Sequence, residues 1–202
     1  MRKTKIAVLV SGGGTNLQAL IDAQGSTLVS GEIALVIANN AGAYALERAK
    51  KAGIETAVVL KKELGSQEAF EARLKEILRS HGIEVIILAG FMTILTENFT
   101  SCYPKRILNV HPSLIPSFCG AGFYGLRVHQ AALDYGVKVT GATVHFVNEI
   151  PDGGEIIAQK AVEVLPGDTP EILQRRVMEQ AEWILLPQAA ETVCAQLNKQ
   201  TN

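Results

Sequence analysis

Three short stretches of the sequence hold side chains whose types and spacing suit group-transfer chemistry. The first is Asn109-Val110-His111-Pro112-Ser113. Residues two apart on an extended strand point to the same side, so Asn109 and His111 would present an amide and an imidazole together. The amide donates two hydrogen bonds, and the imidazole donates one or acts as acid or base. Pro112 and Pro116 stiffen the exit from this segment. The second stretch is Pro151-Asp152-Gly153-Gly154. An Asp before two glycines is by itself an ordinary turn residue. It gains a chemical role if the turn folds back over His111, because a carboxylate beside an imidazole favours the imidazolium and orients the ring. The third is Ser11-Gly12-Gly13-Gly14-Thr15-Asn16. Glycines let the backbone curl, and N–H groups at a helix start attract an anion. The loop lacks the Gly-Lys-Ser/Thr ending of a Walker A loop, and Leu17 stands where the dinucleotide fingerprint needs its third glycine. A single phosphate suits it better than a pyrophosphate, and a plain tight turn is the alternative.

Three further residues invite chemistry and receive simpler readings. His145 sits in an alternating strand, in a supporting position behind the site. Cys119 has no base beside it in the sequence and reads as an ordinary thiol. His129 falls on a helix and is expected at its surface. No G-x-S-x-G elbow and no H-E-x-x-H ligand set occurs, which disfavours a serine hydrolase and implies catalysis without a metal.

The elements that must position these residues follow from hydrophobic patterning. Residues 5–10, 32–38, 56–60, 85–88 and 107–110 read as short apolar strands, with helices at 43–52 and from Ser66 to about His81 between them. Strands alternating with helices predict an α/β fold: a Rossmann-like, mostly parallel twisted sheet with helices on both faces. Residues 138–147 and 155–164, joined by the Pro151–Gly154 turn, predict antiparallel edge strands in the C-terminal half. A long helix from Pro170 to about Asn198 closes the chain, with a kink expected at Pro187. The apolar face of 43–52 suits either the core or a dimer contact.

Composition bounds the rest. Of 202 residues, 48% are hydrophobic and 19% charged, enough to bury a core, and the length suits a single domain spanning 1–202. The formal net charge is -1 with no basic run, and aromatics make up 5%, which disfavours nucleic acid as a partner. The odd cysteine set, Cys102, Cys119 and Cys194, disfavours a disulfide framework and a structural zinc. No apolar run reaches the ~18 residues of a spanning helix, so no membrane role is expected. Residues 6–10 are too short for a signal-peptide core, and a cytoplasmic location is expected.

Taken together, Ser11-Gly-Gly-Gly-Thr-Asn-Leu-Gln-Ala-Leu20, Leu88-Ala-Gly-Phe-Met-Thr-Ile-Leu95, Asn109-Val-His-Pro-Ser-Leu-Ile-Pro116 and Val144-His-Phe-Val-Asn-Glu-Ile-Pro-Asp152-Gly-Gly resemble the phosphoribosylglycinamide formyltransferases within the folate-dependent formyltransferase family. The motifs occur in family order over nearly the whole chain. The resemblance implies transfer of a formyl group from 10-formyltetrahydrofolate, as cosubstrate, to the amine of 5'-phosphoribosylglycinamide in purine biosynthesis. It implies that Asn109, His111 and Asp152 are catalytic, Asn109 and protonated His111 donating to the developing oxyanion, where one such donor is worth ~3 kcal/mol. Asp152 would orient His111 or a shuttling water, and His111 would be the general acid. Gly14, Thr15 and Asn16 would hold the substrate phosphate, and Glu179, Gln180, Ala181 and Glu182 would lie along its sugar, Glu182 accepting from ribose hydroxyls. Met92, Thr93, Ile94, Leu95, Asn109, Asn148, Glu149, Ile150 and Pro151 would form the folate pocket. The partners implied are these small molecules, with the chain a monomer or homodimer.

Three positions depart from the family pattern. Thr93 and Gln67 stand where the family often has Arg, and residues 117–125 form a longer loop than in other members. Rival readings are formyltetrahydrofolate deformylase and methionyl-tRNA formyltransferase, which carry extra N- and C-terminal domains for which this chain would leave no room. A non-catalytic phosphoribosyl- or nucleotide-binding module would explain the glycine loop and leave Asn109, His111 and Asp152 without a purpose.

Overall fold

Long apolar segments bounded by glycine or polar turns are forced inside a sheet covered on both faces. Thr4–Val10 (β1), Gly31–Ala38 (β2), Val85–Leu88 (β4) and Ile107–His111 (β5) behave in this way in a computed structural model that describes residues 2–201, while the short Glu55–Val58 (β3) is a partly exposed edge strand. Val139–Phe146 (β6) and Ile156–Glu163 (β7) complete a sheet of seven strands in the order β3-β2-β1-β4-β5-β6-β7. Strands β1 to β5 pair in parallel, whereas β5–β6 and β6–β7 are antiparallel. The mostly parallel sheet with antiparallel edge strands is the architecture expected from the sequence.

The helices are Thr15–Ala23 (α1), Ala45–Lys51 (α2), Lys61–Leu64 (α3), Gln67–Ser80 (α4), Glu97–Thr100 (α5), Leu126–Tyr135 (α6), Pro170–Val177 (α7) and Trp183–Thr201 (α8). One sheet face is covered by Leu17 and Leu20 of α1, Ala45, Leu46 and Ala49 of α2, and Leu186, Ala190 and Val193 of α8. The apolar face of α2 thus belongs to the core. The other face packs on Phe70, Leu74, Ile77 and Leu78 of α4 and on Phe99. Ser66 caps α4, its hydroxyl accepting from the Ala69 N–H at 3.0 Å. On this second face the apolar core runs along Ile86, Leu88 and Ile107. Further along β5 it gives way to Asn109 and His111, which the segments carrying Phe118 and Asp152 reach.

The closing helix differs from expectation. Its irregularity is a π-helical turn at Met178–Glu182 between α7 and α8, while Pro187 lies inside α8. A π-turn inserts one residue into the helical repeat and re-aims the side chains around it. Here Ala181 and Glu182 are both turned inward.

Candidate active site

The strand order reverses between β1 and β4, the position where open α/β sheets place ligands beyond their strand ends. The glycine loop leaves β1 at this point and the 89–95 segment leaves β4. Ser11 Oγ accepts from the Met92 N–H at 2.8 Å, so the two loops are joined. Gly14 occupies the left-handed region (φ 72°), and a Cβ there would lie 2.6 Å from that of Ala45. No other residue fits without displacing α2. No side chain caps α1, so its first N–H groups stay open to an anion.

Arg48, which the sequence reading did not single out, braces this loop. Its Nε donates to Gly13 O at 2.9 Å and its Nη1 to Gln18 Oε1 at 3.0 Å. Asn16 Nδ2 donates to Glu182 Oε2 at 2.7 Å, bringing the loop against the π-turn. Burial pushes the Glu182 carboxyl up to about 7, although the Asn16 hydrogen bond opposes the rise. The neighbouring residues are placed differently. Glu179 and Gln180 are exposed, Glu179 pairing with Arg175 at 2.8 Å, and Ala181 packs in the core.

Asn109, His111 and His145 lie on one face of the β5–β6 pair, Asn109 opposite His145. The connection after β6 folds back across that face and delivers Asp152. Asp152 adopts φ 56°, and a Cβ at Gly153 or Gly154 would collide with Ile150 or with the Phe146 carbonyl. The turn can therefore close only with the two glycines behind Asp152. Asp152 Oδ1 lies 3.5 Å from both Asn109 Nδ2 and His145 Nε2; Oδ2 lies 3.4 Å from His111 Nδ1 and accepts from the Gly120 N–H at 2.9 Å. Burial would raise its pKa, but the adjacent His145 ring, the bond from the Gly120 N–H and nearby His111 outweigh it and hold the carboxyl below its usual range. It is a carboxylate at neutral pH.

His145 Nδ1 donates to Phe146 O at 2.8 Å, leaving Nε2 to face Asn109 Nδ2 at 3.2 Å. That contact turns the donor end of the Asn109 amide towards the site. His111 is almost fully buried and both its ring nitrogens face acceptors, Nε2 reaching Phe118 O at 2.9 Å. Direct donation from His111 to an oxyanion, expected from the resemblance, is thus not open in this arrangement; Asp152 stands between the ring and the cleft. His129 corrects the sequence reading outright. It is fully buried on α6 and neither ring nitrogen has a partner. Burial, helped by nearby His111, pushes its pKa down to about 4, so the ring is neutral.

A cleft of about 120 Å³ opens beside this cluster. It is lined by Met92, Thr93, Ile94, Leu95, Asn109, Asn148, Glu149, Ile150, Pro151 and Asp152, with Leu88, Phe91, His145 and Val147 in addition. Met92, Ile94 and Ile150 are exposed at its mouth, an apolar rim that a flat ligand would cover. Thr93 Oγ1 accepts from Asn39 Nδ2 at 2.8 Å, and Gln67 Nε2 donates to Ile94 O at 3.1 Å. Buried Glu71 accepts from the Thr96 N–H (2.7 Å), the Thr96 hydroxyl (2.6 Å) and Gln67 (2.6 Å), anchoring the end of the cleft segment. A larger groove of about 610 Å³ runs between β7 and α8, but it gathers none of these groups and its ion pair, Lys105–Glu155, is exposed. Among the described residues no cluster of three metal-ligand side chains occurs, and no helix is long and apolar enough to cross a membrane.

Comparison with known proteins agrees with this geometry. The formyl transferase family model matches residues 4–189. The phosphoribosylglycinamide formyltransferase of Haemophilus influenzae is 45% identical over 87% of this chain and 81% of its own length. The trifunctional purine biosynthetic protein adenosine-3 of Gallus gallus is 46% identical over 96% of this chain, which spans only 19% of that protein. The crystal structure of glycinamide ribonucleotide transformylase 1 from Symbiobacterium toebii superposes with a TM-score of 0.89 at 42% identity, over 96% of this chain and 89% of that one. The chain belongs to the formyl transferase family, among the phosphoribosylglycinamide formyltransferases.

Proposed function

We propose that the protein transfers the formyl group of 10-formyltetrahydrofolate to the amine of 5'-phosphoribosylglycinamide, in the formation of purines. The observation that carries this reading is the convergence of Asn109, His111 and His145 on the Asp152 carboxylate, within 3.5 Å, at the floor of an apolar cleft. Formyltetrahydrofolate would lie in the cleft, its flat ring system against the 92–95 and 148–151 segments. The phosphate would sit on the N-terminus of α1 at Gly14, Thr15 and Asn16, with Glu182 accepting from the ribose.

The neutral amine attacks the formyl carbon. A nitrogen–carbon bond forms and the carbonyl π pair moves onto oxygen. Asn109 Nδ2, held donor-inward by His145, stabilises that oxyanion. Collapse restores the carbonyl and breaks the bond to N10 of the folate, which keeps the electron pair. One proton leaves the amine and one arrives at N10. Asp152, or a water bound to it, relays both: the His111 Nδ1 proton passes through it to N10, His111 being the general acid, and the amine's proton returns through it to His111. Neither a covalent enzyme intermediate nor a metal is required.

The hydrolytic alternative, with water as acceptor, uses the same three residues. The hydrogen bond from Met92 to Ser11 supports transfer, because it joins the loop where the phosphate would sit to the cleft where the folate would lie, and a hydrolase needs no second substrate site. The chain is read as one formyltransferase domain over 1–202, cytoplasmic, working as a monomer or homodimer. Asn109→Ala and His111→Ala test the assignment: each should keep the circular dichroism of the parent and lose roughly 10²–10³-fold in turnover. Parental turnover in either purified variant removes that residue from the mechanism.

A further inference from the structure

Two main-chain groups of the 117–125 loop grip the catalytic cluster: Phe118 O meets His111 Nε2 at 2.9 Å and the Gly120 N–H meets Asp152 Oδ2 at 2.9 Å. We propose that Phe118 is a positioning residue for His111: its main-chain carbonyl keeps Nε2 protonated and leaves Nδ1, facing Asp152, as the nitrogen that exchanges the proton of the reaction. The inference rests on the formyl-transfer reading above and assigns the proton path within it.

Which nitrogen of a neutral histidine carries hydrogen is set by the partner of the other nitrogen. A carbonyl oxygen only accepts, so the Phe118 contact can be made only by Nε2–H. The ring then meets Asp152 Oδ2 through Nδ1, 3.4 Å away. When protonated, Nδ1–H points at the carboxylate that lines the cleft; when it gives the proton up, Nε2 stays bonded and the ring does not turn. Proton transfer therefore needs no reorientation of the imidazole. The other titratable groups of the cluster are His145 on β6 and Cys119 in the loop, which interact with Asp152, and His129 on α6, which lies near His111.

The loop is held in this position against a backbone preference. Phe118 has φ 50°, a region that bulky residues rarely occupy, and such conformations persist only where the surroundings impose them. What imposes it here is an aromatic brace. The Phe118 ring meets Tyr135 edge-on, with centroids 6.0 Å apart and planes at 71°, and Phe123 at 6.5 Å and 58°. Upstream, the Ser113 hydroxyl donates to Ser117 O at 2.6 Å. Tyr135 itself is 81% exposed at the end of α6, so its ring can be removed without opening the core.

The experiment is nitrogen-15 NMR of histidine-labelled protein, reading two-bond correlations of the four rings across pH, with His111 assigned by His111→Asn. The expected result is a single Nε2–H tautomer for neutral His111 in the parent. Tyr135→Ala, and Tyr135→Ala with Phe123→Ala, should give a mixed tautomer and about a tenfold lower kcat, with the KM for the ribonucleotide unchanged and Tyr135→Phe restoring the parental spectrum. An Nδ1–H tautomer in the parent overturns the proposal. So does a ring protonated at both nitrogens throughout, or a spectrum and kcat indifferent to loss of the brace. If the double variant fails to fold, the parent and Tyr135→Ala spectra decide. A parent that shows the Nε2–H tautomer but no formyl transfer refutes the reading of function and leaves the ring assignment standing.

Discussion

Replacing Glu182 with Gln isolates the cost of burying a carboxylate beside the anion loop. Glu182 is 6% exposed, and its hydrogen-bond donor is Asn16 Nδ2 at 2.7 Å. Asn16 Oδ1 is itself buried without a partner, so a protonated Glu182 brings a donor to a side chain that lacks one. Desolvation lifts the carboxyl from 4.5 to about 7. Below pH 4.5 folded and unfolded chains both hold the proton and the site costs nothing. Between 4.5 and 7 the folded chain keeps a proton that the unfolded chain has released, so stability falls as pH rises. Above 7 the whole cost is present: the gap, at about 1.36 kcal/mol per pH unit, amounts to about 3 kcal/mol. Gln mimics the protonated form at every pH. For a chain of this length about 3 kcal/mol corresponds to roughly 6–12 °C in Tm. Thermal unfolding of both proteins should coincide near pH 4.5 and diverge to that extent, with Glu182→Gln the more stable, by pH 8.5. Parallel Tm curves across this range would refute the reasoning. Function should move the other way. Ribose hydroxyls donating to a carboxylate lose roughly tenfold to a hundredfold in affinity when the acceptor becomes neutral, read as a raised KM for the ribonucleotide alone.

Three further outcomes follow from the same geometry. His129→Leu removes a buried ring whose pKa has fallen from 6.5 to about 4; the parent should lose about 3 kcal/mol as pH drops from 6.5 to 4, and urea titration should find that loss much reduced in the variant. Glu71→Ala strands the Thr96 and Gln67 donors, which should cost about 1–3 kcal/mol and raise the KM for folate, not for ribonucleotide; equal KM changes would contradict the anchoring role. Asp152→Asn keeps the turn but sets an amide against the Gly120 N–H and His111, and steady-state turnover should fall about 10²–10⁴-fold with the melting temperature near that of the parent.

The parts of this molecule that were legible in the sequence are those with a period. Residues 85–88 carry four apolar side chains in a row and could only be a central strand. Asn109 and His111 share a face because the strand repeat is two. Asp152 was legible as a turn residue, but its approach to His111 depends on a chain reversal that no local pattern encodes. His129 misled for a similar reason. The inward stripe of α6 is Val128, His129 and Ala132, and one polar residue in a three-residue stripe looks like the outer face. The π-turn left no mark in composition, whereas Pro187, the obvious breaker, sits inside the helix. Phe118 and Gly120 act through backbone atoms, which every residue has, and so gave no signal at all.

In the proposed reaction the cleft and the glycine loop hold two substrates of one transfer. The direct measurement follows folate release from 10-formyltetrahydrofolate spectrophotometrically, with and without 5'-phosphoribosylglycinamide, and identifies the formylated ribonucleotide by mass. Release that appears only with the ribonucleotide, matched mole for mole by product, is the predicted result. Release at the same rate without it would make the protein a hydrolase, and binding of both ligands with no release would contradict the catalytic account.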